Sequence, residues 1–293
     1  CERCGCRVPG KHEVCCIDRF VKNPKTGLVV QANGGWHDAG DFGRYTGPAA
    51  SAIGHMLYAY KFFSTSFADS LHIPESGNGV PDVLNECRYE LEWLLKMQRE
   101  DGGIYHKVST KNFAPFIMPQ DDLEPEYVLP VSHCATGAVS ACFALASEVW
   151  SELDPEFSEK LKNAAVNAWN WLEMNPEFKP YMNPEDIHTG MYGDRTDKDE
   201  ILWAATELYG LTGEKKYLEK MTELFDELPY ITAFAALAIS PGIPGTIPTT
   251  SRKVCRSVTP MDQRCLYAHQ LTNFFCLNRL FSLMSTIQGT VYL

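Results

Sequence analysis

The sequence predicts an all-α fold, an α/α toroid closed by an irregular C-terminal tail. Three observations predict it. Apolar residues recur at helical spacing through most of residues 46–224. The segments between these runs are long and rich in Pro, Gly, Asp and His, as expected of loops that carry function on a helical scaffold. Strand signals are weak, and no internal repeat favours a solenoid over a toroid.

The helices follow in order. Thr46-Gly47-Pro48 makes a start signal, with Thr46 as cap and Pro in the first turn. Ile53, Leu57 and Tyr60 then line one face up to Phe63. A second helix opens at Pro81-Asp82, with Val83, Leu84, Cys87, Leu91, Leu94 and Leu95 as its stripe, and stops before Asp101-Gly102-Gly103. A third, from Ser132 to Trp150, is rich in Ala and other small residues that let helices approach closely. A fourth spans Phe157 to Met174, with Trp169 and Leu172 inward. Two more cover Asp199–Tyr209 and Lys215–Leu224, with Gly213 as the stop between them. Gly103 to Val108 reads as a short extended piece.

Composition narrows the function. The 293 residues are 45% hydrophobic and 22% charged, enough to build a large core and too apolar for a disordered chain. The net charge of −11 argues against a nucleic-acid partner, because a phosphate backbone repels an acidic surface. No apolar run approaches the ~20 residues that span a bilayer, so no membrane partner is expected. Oligomeric state is not legible. Residues 241–293 hold one acid, Asp262, against five bases, and open on Pro241, Pro244 and Pro248. A boundary is placed there: 1–240 as the helical domain, 241–293 as an atypical tail. That tail is either a surface loop with one last helix over 271–286 or a segment foreign to the upstream fold.

The stretch from Gly34 to Tyr45, GGWHDAGDFGRY, carries the chemistry. Asp38 and Asp41 sit three residues apart among four glycines and three aromatics, just ahead of a helix. Glycines allow sharp turns and close approach of a ligand to backbone. Two carboxylates so placed are able to share one water: one orients it and the other takes its proton. Inverting glycoside hydrolysis needs that pair, plus an acid across the scissile bond. Trp36 and Tyr45 offer faces for a sugar ring. The plain alternative is turn and capping chemistry in a Gly-rich loop.

This stretch resembles the signature of glycoside hydrolase family 9, the inverting cellulase family with an (α/α)6 barrel. The likeness recurs in the same order at Arg3-Cys4-Gly5 and His12–Cys15, at Asn78–Glu86, at Gly103–Val108, at Tyr127–Ser132 and at Tyr192–Glu200, covering roughly residues 1–220. It implies that Asp41 is the general base, that Asp38 holds the attacking water, and that the substrate is a β-1,4-linked glucan. It also implies a secreted protein that needs no organic cofactor. The family's general acid is a Glu in an Asn-Glu motif near the C-terminus, behind a His/Arg substrate-binding segment. Neither motif is found in the C-terminal part of this sequence, and no Glu follows Glu227. The family's domain is also longer, so the toroid is expected to be partial. A non-catalytic glucan-binding protein that keeps half the cleft is the competing reading, and an exo-acting hydrolase of glucosamine oligomers belongs to the same family.

Two metal sites are expected on similar grounds. Five of the eleven cysteines fall within the first sixteen residues. Thiolates and imidazoles suit zinc; disulfides in an oxidising compartment are the alternative. In one branch of the family two Cys and two His hold a structural zinc. Cys4 and Cys15 match its Cys positions, Cys16 stands at one His position and Arg44 at the other, with Cys6 or His12 available to complete the set. Asp194, Asp197, Asp199 and Glu200 lie in an oxygen-rich loop ahead of a helix, with Asp199 and Glu200 at the family's matching carboxylates. The resemblance implies structural calcium there; acid enrichment at a helix N-terminus is the alternative. His106 is either a sugar contact or a structural histidine. His133 is given no role, and Trp169 and Trp171 are read as packing.

Overall fold

The protein is described by a computed structural model covering residues 20–22 and 29–227. The proposed zinc residues Cys4, Cys15 and Cys16, the tail 241–293 and the boundary at 240 lie outside the described residues. The described elements run β1 (Phe20–Lys22), β2 (Val29–Gln31), β3 (Arg44–Tyr45), α1 (Thr46–Phe63), α2 (Asp82–Lys96), β4 (Lys107–Ser109), β5 (Tyr127–Val128), α3 (His133–Trp150), α4 (Pro155–Met174), α5 (Lys198–Thr212) and α6 (Lys215–Glu227).

The packing defines the architecture. α1, α3 and α5 pack side by side, and each also packs on the helix that follows it: α1 on α2, α3 on α4, α5 on α6. Three hairpins with alternate helices inside and outside form an arc of an α/α toroid, as the periodicity predicts. The centre of the arc is α3, which is buried along nearly its whole length. Its Ala and Gly residues explain why. A Cβ added at Gly137 would stand 2.9 Å from Glu200 Cβ, so α5 approaches α3 more closely there than any larger residue allows.

The helix ends follow local chemistry. Ser132 caps α3, its hydroxyl accepting from the Ala135 N–H, and Asp154 caps α4 through the Phe157 N–H, with Pro155 in the first turn. Gly213 ends α5 at φ +70°. The start of α1 differs from expectation. Thr46 is the first helical residue and caps nothing; its hydroxyl donates instead to the carbonyls of Tyr105 and His106. A buried hydroxyl goes where acceptors lie, and here it ties α1 to the chain entering β4.

A small antiparallel sheet has the order β3-β4-β5, and β3 leads directly into α1. Tyr45 pairs with Lys107, Arg44 with Val108, and Val108 with Val128. β1 and β2 form a separate antiparallel pair. Two-residue strands carry too little alternation to be read from sequence, so β3 and β5 come from the structure alone. The main apolar core joins all six helices, β4 and β5.

Candidate active site

The Gly34–Tyr45 segment leads into β3 and then directly into α1. The Asp38 N–H donates to the Gly43 carbonyl at 2.9 Å, closing a turn that brings the two acids together. Asp41 Oδ2 accepts from the Gly43 N–H at 3.2 Å and from the Tyr45 hydroxyl at 3.0 Å. Asp38 Oδ2 accepts from the Tyr192 hydroxyl. All of these donors fall on Oδ2, and among the described residues none reaches Oδ1 of either acid. Each carboxylate is thus fixed by a tyrosine and keeps an oxygen for a ligand. The loop rests on the helices through Gly35, at φ +86°, where a Cβ would lie 2.6 Å from the Trp93 ring.

Tyr192 was not anticipated from the sequence. It is half exposed, it holds a left-handed backbone at φ +45°, and its ring meets Tyr45 edge-on at 4.7 Å. The hydrogen bond to Asp38, with burial second, pushes its phenol up to about 12. The only sequence signal was its place at the start of the Tyr-Gly-Asp segment. Burial, then the neighbouring Asp41, pushes the Tyr45 phenol higher still. Both tyrosines therefore stay protonated donors at any working pH.

Two sugar-contact expectations are corrected. Tyr45 is 2% exposed, so it has no free face for a sugar and instead orients Asp41. His106 is 3% exposed and stacks on Tyr181 at 3.5 Å. Its Nδ1 takes the Ser132 hydroxyl at 2.8 Å, and its Nε2 faces the Met191 carbonyl at 2.7 Å. A carbonyl only accepts, which assigns the proton to Nε2. Burial pushes His106 down to about 4, so it is neutral. It is a strut between the α3 cap and the segment bearing Tyr192. Trp36 remains half-buried; its indole N–H donates to Glu86 and its backbone N–H to the buried Glu90. Trp169 is core, against Tyr217, and His133 bonds the Asn175 carbonyl at the end of α4.

The metal expectations fare differently. Arg44, at the supposed ligand position, is 4% exposed, pairs with Glu126 at 2.6 Å and donates to the Ala32 and Gly34 carbonyls. A guanidinium holds no zinc. At the calcium position, Asp199 Oδ1 and Glu200 Oε2 are buried without a partner. Burial first, then the charge of Asp199, pushes Glu200 up to about 10. Two orphaned carboxylate oxygens side by side fit a hard cation. Asp194 does not complete a triad: it is exposed and bonds the Arg195 N–H, and among the described residues no three His, Cys, Asp or Glu side chains form a metal-holding group. A cation there would draw its other ligands from carbonyls or water.

The loops of an arc of helical hairpins thus carry two aspartates, each held by a tyrosine. Comparison with known proteins makes the assignment specific. The family model for glycosyl hydrolase family 9 matches residues 2–236, and the chain belongs to that family. It is 42% identical over 221 residues to a cellodextrinase of Butyrivibrio fibrisolvens, covering 74% of this chain and 40% of that protein. It is 38% identical over 187 residues to endoglucanase D of Acetivibrio thermocellus, covering 63% and 30%. Among solved structures it superposes on a metagenome-derived family 9 endoglucanase with a TM-score of 0.74 at 35% identity, covering 82% of this chain and 46% of that one. A Bacteroides ovatus family 9 protein gives 0.72 at 33% identity, with 82% and 48% covered. The chain thus spans 30–40% of these curated relatives and just under half of the solved structures. Its arc of three hairpins is part of the (α/α)6 barrel. Among the described residues no helix is long and apolar enough to cross a membrane.

Proposed function

We propose that this chain supplies the water-activating side of an inverting β-1,4-glucan hydrolase. The observation that carries the reading is the paired constraint on the acids: Tyr45 and Gly43 on Asp41, Tyr192 on Asp38, all on Oδ2. The two Oδ1 atoms are left to grip one water. Asp41 acts as general base, taking a proton as the water attacks the anomeric carbon. Asp38 holds the second proton of the same water and fixes its direction. A phenol O–H donated to each carboxylate fixes its orientation, as a positioned base requires. A glucan substrate is supported by the relatives, a cellodextrinase and endoglucanases.

Inversion also needs an acid on the far side of the scissile oxygen. No residue of this chain is assigned that role, and 228–293 contain no Glu. The second reading is that the chain binds β-glucan without cleaving it. Trp36 is the proposed sugar contact in both. Asp199 and Glu200 are proposed to hold calcium as a structural clamp between α5 and the loop ahead of it. Secretion is proposed from the company of cellulases.

The test is reducing-end release from a soluble β-1,4-glucan, measured beside equilibrium binding of cello-oligosaccharides. Asp41→Asn should lower release by about 10²–10⁴-fold and leave binding within a factor of a few. Binding with no release by the unaltered chain would favour the second reading. Neither binding nor release would overturn both.

A further inference from the structure

Among the described residues, Lys107 is the one lysine that the core swallows whole. It is 0% exposed on β4, directly opposite Tyr45 in the sheet, and nothing in the water-activating reading uses it. Its Nζ lies 2.6 Å from the Gly190 carbonyl, 3.0 Å from Thr189 Oγ1 and 3.4 Å from the Thr189 carbonyl, and sits 5.4 Å from the centre of the Tyr45 ring. Three N–H donors thus face three neutral acceptors, all from one dipeptide.

We propose that Lys107 is a positioning residue: its buried ammonium clasps Thr189–Gly190, and through that clasp sets Tyr192 on Asp38 and Tyr45 on Asp41. This rests on the water-activating reading above. The dipeptide lies two residues ahead of Tyr192, whose left-handed backbone is strained for a side chain of that size and so must be held by its surroundings. Lys107 holds one side of it; His106 holds the other, through the Met191 carbonyl. Gly190 is pinched between the two phenols: a Cβ there would stand 3.2 Å from both the Tyr45 hydroxyl and Tyr192 Cε2. Thr189 is fixed further by Ser109 and by the Asn183 amide. A shift of the clasp therefore moves both tyrosines together.

The charge also matters. Among the described residues no carboxylate lies within ion-pair reach of Lys107, so its field is not cancelled locally. The titratable groups that face it are Asp41 from the signature loop, Tyr45 from β3, His106 just ahead of β4 and Tyr192 beyond the clasped dipeptide. Burial pulls Lys107 down to about 8, and Asp41 works against that. His106 is neutral, and neither phenol titrates near 8. As pH rises past 8 the amine is left with two donors for three acceptors, and the clasp loosens.

Two readouts test this. The first needs no catalysis: nuclear magnetic resonance of the unaltered chain, labelled at lysine Cε and tyrosine Cζ. A lysine resonance lost in Lys107→Met should titrate near pH 8. The Tyr192 Cζ resonance should move with the same midpoint, while that of the distant Tyr217 should not. The second is kinetic. Lys107→Met should lower kcat about tenfold or more with KM nearly unchanged, because a small misplacement of reacting groups costs rate rather than binding. Lys107→Arg should recover part of that loss and shift the alkaline limb upward. A Tyr192 resonance indifferent both to the titration and to Lys107→Met would overturn the proposal. An unaltered chain that cleaves no glucan yet couples Tyr192 to Lys107 would count against the hydrolase reading and leave the clasp standing.

Discussion

The helical arc and the loop end that carries the acids solve opposite problems. The arc is dry: α3 buries Val139, Phe143 and Leu145 against α1, α4 and α5, and single hydroxyls such as Ser140 are paid off locally, here on the Ala165 carbonyl. The loop end is buried yet charged. Arg44, Lys107, Glu90 and His106 are each under 5% exposed, within two short strands, the adjoining segments and one flanking helix. Apolar burial gives the arc its stability. The loop end sinks charges into low dielectric, which costs free energy unless each is paired or shifts its pKa. Stability and function are therefore drawn from different regions, and substitutions should separate them.

The sharpest separation is at the acids. Asp41→Asn should abolish most hydrolysis, by about 10²–10⁴-fold, with a nearly unchanged melting temperature, since among the described residues the hydrogen bonds of Asp41 come from Gly43 and Tyr45. Gly102→Ala should do the reverse. Gly102 holds φ +96°, and a Cβ there would stand 2.1 Å from the Asn167 backbone oxygen of α4. Strain and overpacking together predict a loss of about 2–5 kcal/mol in urea unfolding, with activity per folded molecule retained. A variant that lost stability at Asp41 or activity at Gly102 would break the division.

Buried acids sharpen it next. Burial raises Glu207 to about 7, Glu90 to about 8 and Glu200 to about 10. Each folded-state pKa exceeds the unfolded value near 4.5, so the native chain keeps protons that the unfolded chain has released. Their contribution is complete below about 4.5 and is lost as pH climbs through 7, 8 and 10 in turn. Stability should fall between pH 5 and 9, by up to about 1.4 kcal/mol per pH unit for each group still protonated. Calcium should offset this at pH 8 more than at pH 5, by about 2.7 kcal/mol at a hundredfold excess over Kd, and Glu200→Gln should remove that protection. The smallest effect is expected where the regions meet. Ser132 caps α3 and also donates to His106, so Ser132→Ala should cost about 1 kcal/mol and lower kcat modestly.

The same division governs what was legible beforehand. The six helices were, because helical periodicity, the Pro81-Asp82 start and the Gly213 stop are local signals. The acid pair was, because the signature is contiguous. Tyr192 lies 154 residues from Asp38, and no local pattern joins them. Tyr45 and His106 were seen as aromatic and polar groups near a cleft, but whether a ring faces a sugar or the core depends on strand pairing, which two-residue strands do not announce. Thr46 read as a cap because its type and place suit one; the carbonyls it satisfies belong to a segment sixty residues away. Asp194 read as a ligand by composition, yet its turn faces it outward.

The reaction's stereochemistry tests the central claim most directly. Proton nuclear magnetic resonance during the first minutes of hydrolysis of a soluble β-1,4-glucan distinguishes the anomer released before mutarotation. Water aimed by Asp38 and deprotonated by Asp41 attacks from the face opposite the leaving oxygen, so α-configured reducing ends should accumulate first. Early release of the β anomer would mean a covalent intermediate on a carboxylate and would contradict the roles given to both aspartates.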